Sequence, residues 1–174
     1  MAIYFTSDLH LNHNKPFIYE VRGFSSIHEH NEEIVKRWNS VINPEDDIYV
    51  LGDLVMGLGD EGYDCIKQLK GNIHLALGNH DTNKKVEVYQ NIYNIVEIEV
   101  AYRLSCGKKF VYASHYPMIT DNTSSPEYNF FGHTHQTTPF YEDKYWMYNV
   151  GVDAHNCYPI PLEKIISDIN EFKA

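Results

Sequence analysis

Five short polar segments in this sequence combine carboxylates, imidazoles and an amide, which are side chains that bind divalent metals. Mixed oxygen and nitrogen donors of this kind suit borderline cations such as Mn, Fe, Zn, Ni and Co. In a D-x-H or H-x-H segment, alternate residues of an extended chain point to one side, so two side chains can reach one metal or two neighbouring metals. One such segment is common by chance, but five in this order predict a metal site. The segments are Asp8-Leu9-His10, Gly52-Asp53, Gly78-Asn79-His80-Asp81, Ser114-His115 and Gly132-His133-Thr134-His135.

Each of these segments follows a run of apolar residues that predicts a β-strand. In the first half the runs cover residues 3–7, 47–51 and 73–77. Helical patterns over residues 34–42 and 64–70 separate them, which is the βαβ arrangement of a parallel sheet. Ligands of such sheets bind beyond the carboxyl ends of the strands, so we expect the polar segments to meet there.

The second half predicts further strands and one closing helix. Strand-like runs over residues 94–104 and 108–114 flank a hairpin turn at Ser105-Cys106-Gly107, and an amphipathic helix begins near Leu162. Residues 9–26 are predicted to be a loop. The predicted fold class is α/β, and the remaining predicted strands cover residues 128–131, 140–141 and 146–150.

Composition narrows the classes of function. The formal net charge is −10 and no basic run is present, so extended nucleic acid is an unlikely partner, whereas a small anionic substrate is compatible with a metal site. No apolar run approaches the roughly 20 residues that span a bilayer, and the first residues lack the features of a signal peptide. The three cysteines form no CxxC pair. We therefore predict a cytoplasmic protein with no membrane association, and its oligomeric state stays open.

The sequence closely resembles the calcineurin-like metallophosphoesterases, whose signature runs D-x-H, G-D, G-N-H-[DE], H and G-H-x-H. The resemblance spans about residues 3–151 and fills every signature position. Segments 8–13 and 149–153 also resemble a compact bacterial and phage-type branch of that family. The resemblance implies a four-layer α/β/β/α sandwich of two mixed sheets flanked by helices, in a single domain over residues 1–174. It also implies two divalent metal ions, with Mn as the first choice.

The resemblance assigns roles residue by residue. His80 would face the substrate as an electrostatic stabiliser or as the proton donor to the leaving oxygen, and Asp81 would orient it. The implied reaction is hydrolysis of a phosphomonoester or phosphodiester by a hydroxide that bridges the metals, with a slight preference for diesters or small nucleotides. The metal ligands would be Asp8, His10 and His135 for the first ion, Asn79, His115 and His133 for the second, and Asp53 as the bridge.

Residues outside the signature are predicted to shape the substrate pocket. The guanidinium of Arg22 suits a phosphate, although an ion pair explains it equally well, and His13 is a candidate substrate contact on the same loop. Asp153 and His155 could border the pocket, but a surface position is the favoured interpretation.

Three other histidines are not expected to bind metal. His28 and His30 lie at the start of a predicted helix and are placed on its solvent side, while His74 lies within a strand and is interpreted as structural.

Two alternatives to the enzyme stay open. One is a non-catalytic metal-binding scaffold of the same fold, and the other is a nuclease that acts on short single strands. The presence of His80 together with all the ligand positions favours catalysis.

Overall fold

The computed structural model describes residues 1–120 and 127–174. Apolar runs form its strands, and segments with helical spacing form its helices. In chain order the elements are β1 (Ile3–Thr6), α1 (Pro16–Tyr19), α2 (Ile27–Val41), β2 (Asp47–Leu51), α3 (Asp60–Lys67), β3 (Asn72–Ala76), α4 (Asn83–Tyr89), β4 (Ile95–Glu99), β5 (Ala101–Cys106), β6 (Lys109–Ser114), β7 (Tyr128–Phe131), β8 (Phe140–Tyr141), β9 (Lys144–Asn149), a 3-10 turn (Val152–Ala154), β10 (Ile160–Pro161) and α5 (Leu162–Lys173).

The strands form two mixed five-stranded sheets. The first has the order β10-β1-β2-β3-β4, in which β1 to β4 are parallel and β10 is antiparallel to β1. The second has the order β5-β6-β7-β9-β8, with β6, β7 and β9 parallel and antiparallel strands at both edges. Two mixed sheets flanked by helices confirm the predicted fold class.

Two hydrophobic cores hold these layers together. One lies between the first sheet and helices α2, α3 and α4, where Trp38 and Tyr89 are fully buried. The other lies between the two sheets, where the rings of Phe5 and Phe130 meet edge to face at 5.0 Å. Helix α5 adds Ile165 to this second core. Burial of these large aromatic side chains is the main favourable contribution to packing.

Several boundaries differ from the sequence prediction. The run over residues 94–104 is two strands in different sheets, because the chain turns at the exposed Val100 between β4 and β5. Helix α2 begins at Ile27, where the Ser26 hydroxyl accepts from the Glu29 N–H and caps it. The predicted loop over 9–26 contains α1, and α4 was not predicted. Across residues 1–120 and 127–174, no helix has the length and apolar character to cross a membrane.

Candidate metal centre

The predicted ligands follow the carboxyl ends of parallel strands and meet where the two sheets adjoin. Asp8 follows β1, Asp53 follows β2, and Asn79 lies in the turn after β3, while His115 and His133 follow β6 and β7. Backbone hydrogen bonds fix the first two turns against each other, because the Asp8 N–H donates to the Gly52 carbonyl and the His10 N–H to the Asp53 carbonyl, each at 3.0 Å.

Five of the predicted ligands hold a left-handed backbone conformation, which is uncommon for residues other than glycine. Such strain clusters at functional sites, and here it lies in the turns that follow the strands. The φ angles are 57° for Asp8, 49° for His10, 55° for Asp53, 66° for His133 and 51° for His135.

One set of donor atoms surrounds a point beside Asp8. His10 Nε2 lies 3.2 Å from His135 Nε2 and 3.7 Å from Asp53 Oδ2. His135 Nε2 lies 3.9 Å from Asp8 Oδ1. The other oxygen of Asp8 accepts from the Ser7 hydroxyl at 2.6 Å, which leaves Oδ1 to face the imidazoles.

A second set lies on the other side of Asp53. His115 Nε2 is 3.6 Å from Asp53 Oδ2 and 2.9 Å from Asn79 Oδ1. His133 Nδ1 is 3.0 Å from the same amide oxygen and 3.2 Å from His115 Nε2. Asp53 Oδ2 therefore belongs to both sets, which is the position of a bridging ligand.

The donor sets fit divalent cations. Ligand atoms about 2.1 Å from one ion lie roughly 3.0–3.4 Å apart, close to the separations found in both sets. Asp8 and Asp53 are buried, and burial raises the pKa of Asp8, so a cation would relieve the cost of holding these carboxylates near each other. Among the described residues, the donor atoms of Asp8, His10 and His135 lie close enough to hold one ion, and those of Asp8, Asp53 and His115 lie close enough to hold another.

Outer hydrogen bonds set the tautomers of two imidazoles. His115 Nδ1–H donates to the Leu51 carbonyl at 2.8 Å, and His135 Nδ1–H donates to Asp153 Oδ2 at 2.8 Å. Each of these bonds leaves Nε2 free to bind a metal. His10 Nδ1 lies 3.3 Å from His13 Nδ1. Burial, aided by the nearby Arg22 charge, lowers the pKa of His10 to about 2 and so keeps its ring neutral.

Arg22 and Asp153 form a buried ion pair beneath the first donor set. The guanidinium and carboxylate meet at 2.8 and 3.0 Å, and their side chains are 2% and 9% exposed. Arg22 also donates to the carbonyls of Asp8 and Leu9 at 2.9 and 3.1 Å. These contacts disfavour the predicted role of Arg22 in binding substrate, and they show that Asp153 is not a surface residue. Sequence reasoning missed this pairing because the two residues are far apart in the chain.

His80 lies at the rim of the site with its side chain 41% exposed. Its N–H donates to Asp53 Oδ1 at 2.9 Å, and its ring Nε2 is 3.8 Å from Asp53 Oδ2. In the described part of the chain, the Asp81 carboxylate makes no hydrogen bond to the His80 ring, contrary to the prediction. Asp81 instead accepts from the N–H groups of Asp53 and Gly78 at 2.8 and 2.9 Å, so it organises the turns that carry the ligands.

Two buried side chains of α4 support the same turns, and sequence reasoning missed both. Lys85 Nζ donates to the carbonyls of Val55 and His80 at 2.6 and 2.7 Å. The Tyr89 hydroxyl donates to Asp81 Oδ1 at 2.9 Å. Burial lowers the pKa of Lys85. Residues 83–89 carry no motif, and helix α4, which was not predicted, is what places Lys85 and Tyr89 beside these turns.

Among the other histidines, His30 corrects a prediction. It is fully buried rather than solvent-facing, and its Nε2 accepts from Arg22 Nη1 at 2.9 Å. Burial, with the Arg22 charge, lowers its pKa to about 4. His74 is structural as expected, with its ring between Asp47 and Glu97. His155 Nε2–H donates to the Asn149 carbonyl at 2.8 Å.

A cavity of about 720 Å³ opens beside the first donor set. His10, His80 and His135 form the wall nearest the candidate metal site, and His13 stands next to them. His13 is thus placed both against His10 and at the cavity, where it stays a predicted substrate contact.

Comparison with known proteins gives matches over most of the chain. The model of the calcineurin-like phosphoesterase superfamily domain matches residues 1–156. Uncharacterized protein MJ1445 of Methanocaldococcus jannaschii is 30% identical over 182 residues, which cover 98% of this chain and 93% of that protein. AQ665 of Aquifex aeolicus, a protein of unknown function, has a similar structure, with a TM-score of 0.75 at 24% identity over 95% of this chain and 98% of its own. A novel archaeal phosphodiesterase has a TM-score of 0.51 at 16% identity over 87% and 84% of the two chains.

Proposed function

Since this chain belongs to the calcineurin-like phosphoesterase superfamily, whose members depend on metal, we propose that it hydrolyses phosphate esters with two divalent ions in the two donor sets. The observation that carries the proposal is the shared oxygen, because Asp53 Oδ2 lies 3.7 Å from His10 Nε2 and 3.6 Å from His115 Nε2. Two ions held in this way would lower the pKa of a bound water and would offset the charge of phosphoryl oxygens. Mixed oxygen and nitrogen donors suit Mn, Fe, Zn, Ni or Co, and Mn is our first choice because the family resemblance implies it.

The side chains of the protein supply the remaining chemistry. His80 is half-exposed at the rim and is anchored through its N–H to Asp53, so its ring can meet an ester without binding a metal. We assign it the proton that the leaving oxygen takes up when its bond to phosphorus breaks and water oxygen bonds to phosphorus. Asn79 provides a neutral ligand oxygen, which limits negative charge near an anionic substrate.

A small phosphorylated substrate, with a lean towards phosphodiesters, fits the open cavity better than extended nucleic acid does. The chain has a formal net charge of −10, and a duplex would meet this charge over a long surface. A cytoplasmic location and a single-domain organisation stay predictions.

The test combines metal analysis with a substrate panel. Protein purified without chelator should contain close to two transition-metal ions per chain and, with Mn, hydrolyse p-nitrophenyl phosphate or its bis ester. Asp53→Asn should reduce both metal content and turnover, whereas Asp47→Asn, a carboxylate paired with His74 outside the site, should change neither. Protein that binds metal but hydrolyses neither ester would favour the metal-binding scaffold instead, and protein that binds no metal would refute the two-metal centre.

A further inference from the structure

The cavity beside the candidate metal centre lies on one side of it only. Its walls include His10, His80 and His135 but not Asn79 or His115 of the second donor set. A substrate whose phosphorus sits between the donor sets can therefore extend one of its ester groups into this space. Because His80 borders the cavity, that group is the one whose oxygen would receive the proton.

The volume of the cavity suits a large group. About 720 Å³ lies within the range of roughly 300–1,000 Å³ typical of small-molecule sites. A methyl or ethyl ester would leave most of it filled by water, whereas an aromatic alcohol or a nucleoside would occupy it.

The outer wall is apolar and exposed. Phe17 on α1 is 66% exposed, and Val21 is 75% exposed. The Phe17 ring stands edge to face against His13, with 5.7 Å between ring centroids and 82° between planes. Phe17 lines the cavity and its ring is largely exposed, so it offers an aromatic surface on which a flat ring can stack.

The charged residues that line the cavity disfavour the binding of a cationic group. Asp153 is the one carboxylate among the described residues that line the cavity, and it is already paired with Arg22 and His135. The other cation, Arg37, is bonded to the Asn156 carbonyl at 2.9 Å. An amino alcohol would find no free negative partner there.

We propose that this cavity is a leaving-group subsite for an alcohol that carries a flat aromatic ring, the class to which nucleosides belong, with Phe17 as its stacking residue. The proposal rests on the proposed phosphoesterase activity for its orientation, because the phosphorus atom must lie at the metal centre. Binding of the aromatic ring itself depends on the cavity and does not require the metal centre.

The test compares aromatic and non-aromatic leaving groups in the parent and in Phe17→Ala. Substrates are 2-naphthyl phosphate and glycerol 2-phosphate, each as the monoester and as the methyl diester. The ratio of kcat/KM for naphthyl over glyceryl esters should fall about five- to tenfold in Phe17→Ala. Differences in leaving-group reactivity cancel, since each substrate is compared between the two proteins. Tyr93→Ala, which removes a ring that is 78% exposed on another surface, should leave the ratio unchanged.

A second measurement separates the subsite from the activity. Fluorescence titration of the metal-free protein with 2-naphthol should show binding that Phe17→Ala weakens by a similar factor and Tyr93→Ala does not. Naphthol binding of this kind without hydrolysis of any ester would uphold the subsite and refute the proposed function. An unchanged kcat/KM ratio, or equal naphthol binding by the parent and Phe17→Ala, would overturn the subsite.

Discussion

Removing the buried ion pair of Arg22 and Asp153 should lower both the stability of the protein and the metal affinity of the first donor set. Asp153 receives two hydrogen bonds from the guanidinium and one from His135 Nδ1, while Arg22 also holds the backbone carbonyls of Asp8 and Leu9. This one ion pair therefore connects the segment of Asp8 and Leu9, the segment of His135 and the 3-10 turn that carries Asp153.

Asp153→Ala removes the charge opposite a guanidinium that is 2% exposed. Breaking a buried pair by deleting one partner costs about 3–5 kcal/mol. For a domain of this size, 3 kcal/mol lowers the melting midpoint by roughly 6–12 °C. Because His135 also loses the acceptor that orients its ring, we expect metal affinity at the first site to fall about 10- to 100-fold.

Two assays separate these effects. Urea unfolding of metal-free protein measures the loss of stability, and calorimetric titration with Mn²⁺ measures the loss of affinity. The double variant Arg22→Met/Asp153→Leu removes both charges and should recover part of the stability, because the carbonyls of Asp8 and Leu9 still lose their donor, and it should not recover the metal affinity. Asp168→Asn is the control, because its carboxylate accepts from the Tyr148 hydroxyl away from the site. Parent-like metal binding by Asp153→Ala would refute the positioning role of this pair.

Three further variants test other parts of the site. His80→Ala should lower kcat by about 10²- to 10⁴-fold with metal content unchanged, and His74→Ala, the control, should retain activity; equal activity of His80→Ala and the parent would exclude the proton-donor role. Gly132→Ala should destabilise the fold by about 1–3 kcal/mol and deplete the first metal, because the new Cβ would lie 2.4 Å from Asp8 Oδ2; unfolding curves and metal analysis that match the parent would contradict this. The His30 pKa of about 4 in the folded protein lies below its unfolded value of 6.5. Between these two pH values the unfolded chain binds more protons than the folded one, so the stability falls as the pH is lowered from 6.5 to about 4. The loss is about 3 kcal/mol, and His30→Gln should flatten the pH profile of urea unfolding by that amount; an identical profile would show that His30 does not carry it.

The sequence was sufficient to predict the family, the fold class and the strand ends from which the site is built. Asp8, Asp53 and Asn79 each follow a strand that its apolar run identifies, and parallel strands bring their ends together whatever the details of packing. The match to the superfamily confirms the resemblance on which the assigned roles were based. Those roles stay predictions, although the structure brings all seven proposed ligands within reach of one another.

The supporting residues could not be predicted in the same way. Arg22 and Asp153 pair across most of the chain, and neither periodicity nor a local motif specifies such a partner. His30 was misplaced although it precedes the buried Ile34 by four residues and Trp38 by eight, spacings that put all three on the same face of α2. Burial of polar groups depends on tertiary packing, and one sequence shows it only indirectly.

The left-handed backbone at five proposed ligands has a consequence for how this fold diverges. A side chain in that conformation costs free energy that glycine avoids, and the proposed metal binding would be the return for that cost. A descendant of this chain that no longer binds metal would relieve the strain with glycine at these positions, and it would give up hydrogen bonds such as those that Asp8 and Asp53 accept. Drift towards glycine at Asp8, His10, Asp53, His133 and His135 should therefore mark descendants in which only the fold is still under selection.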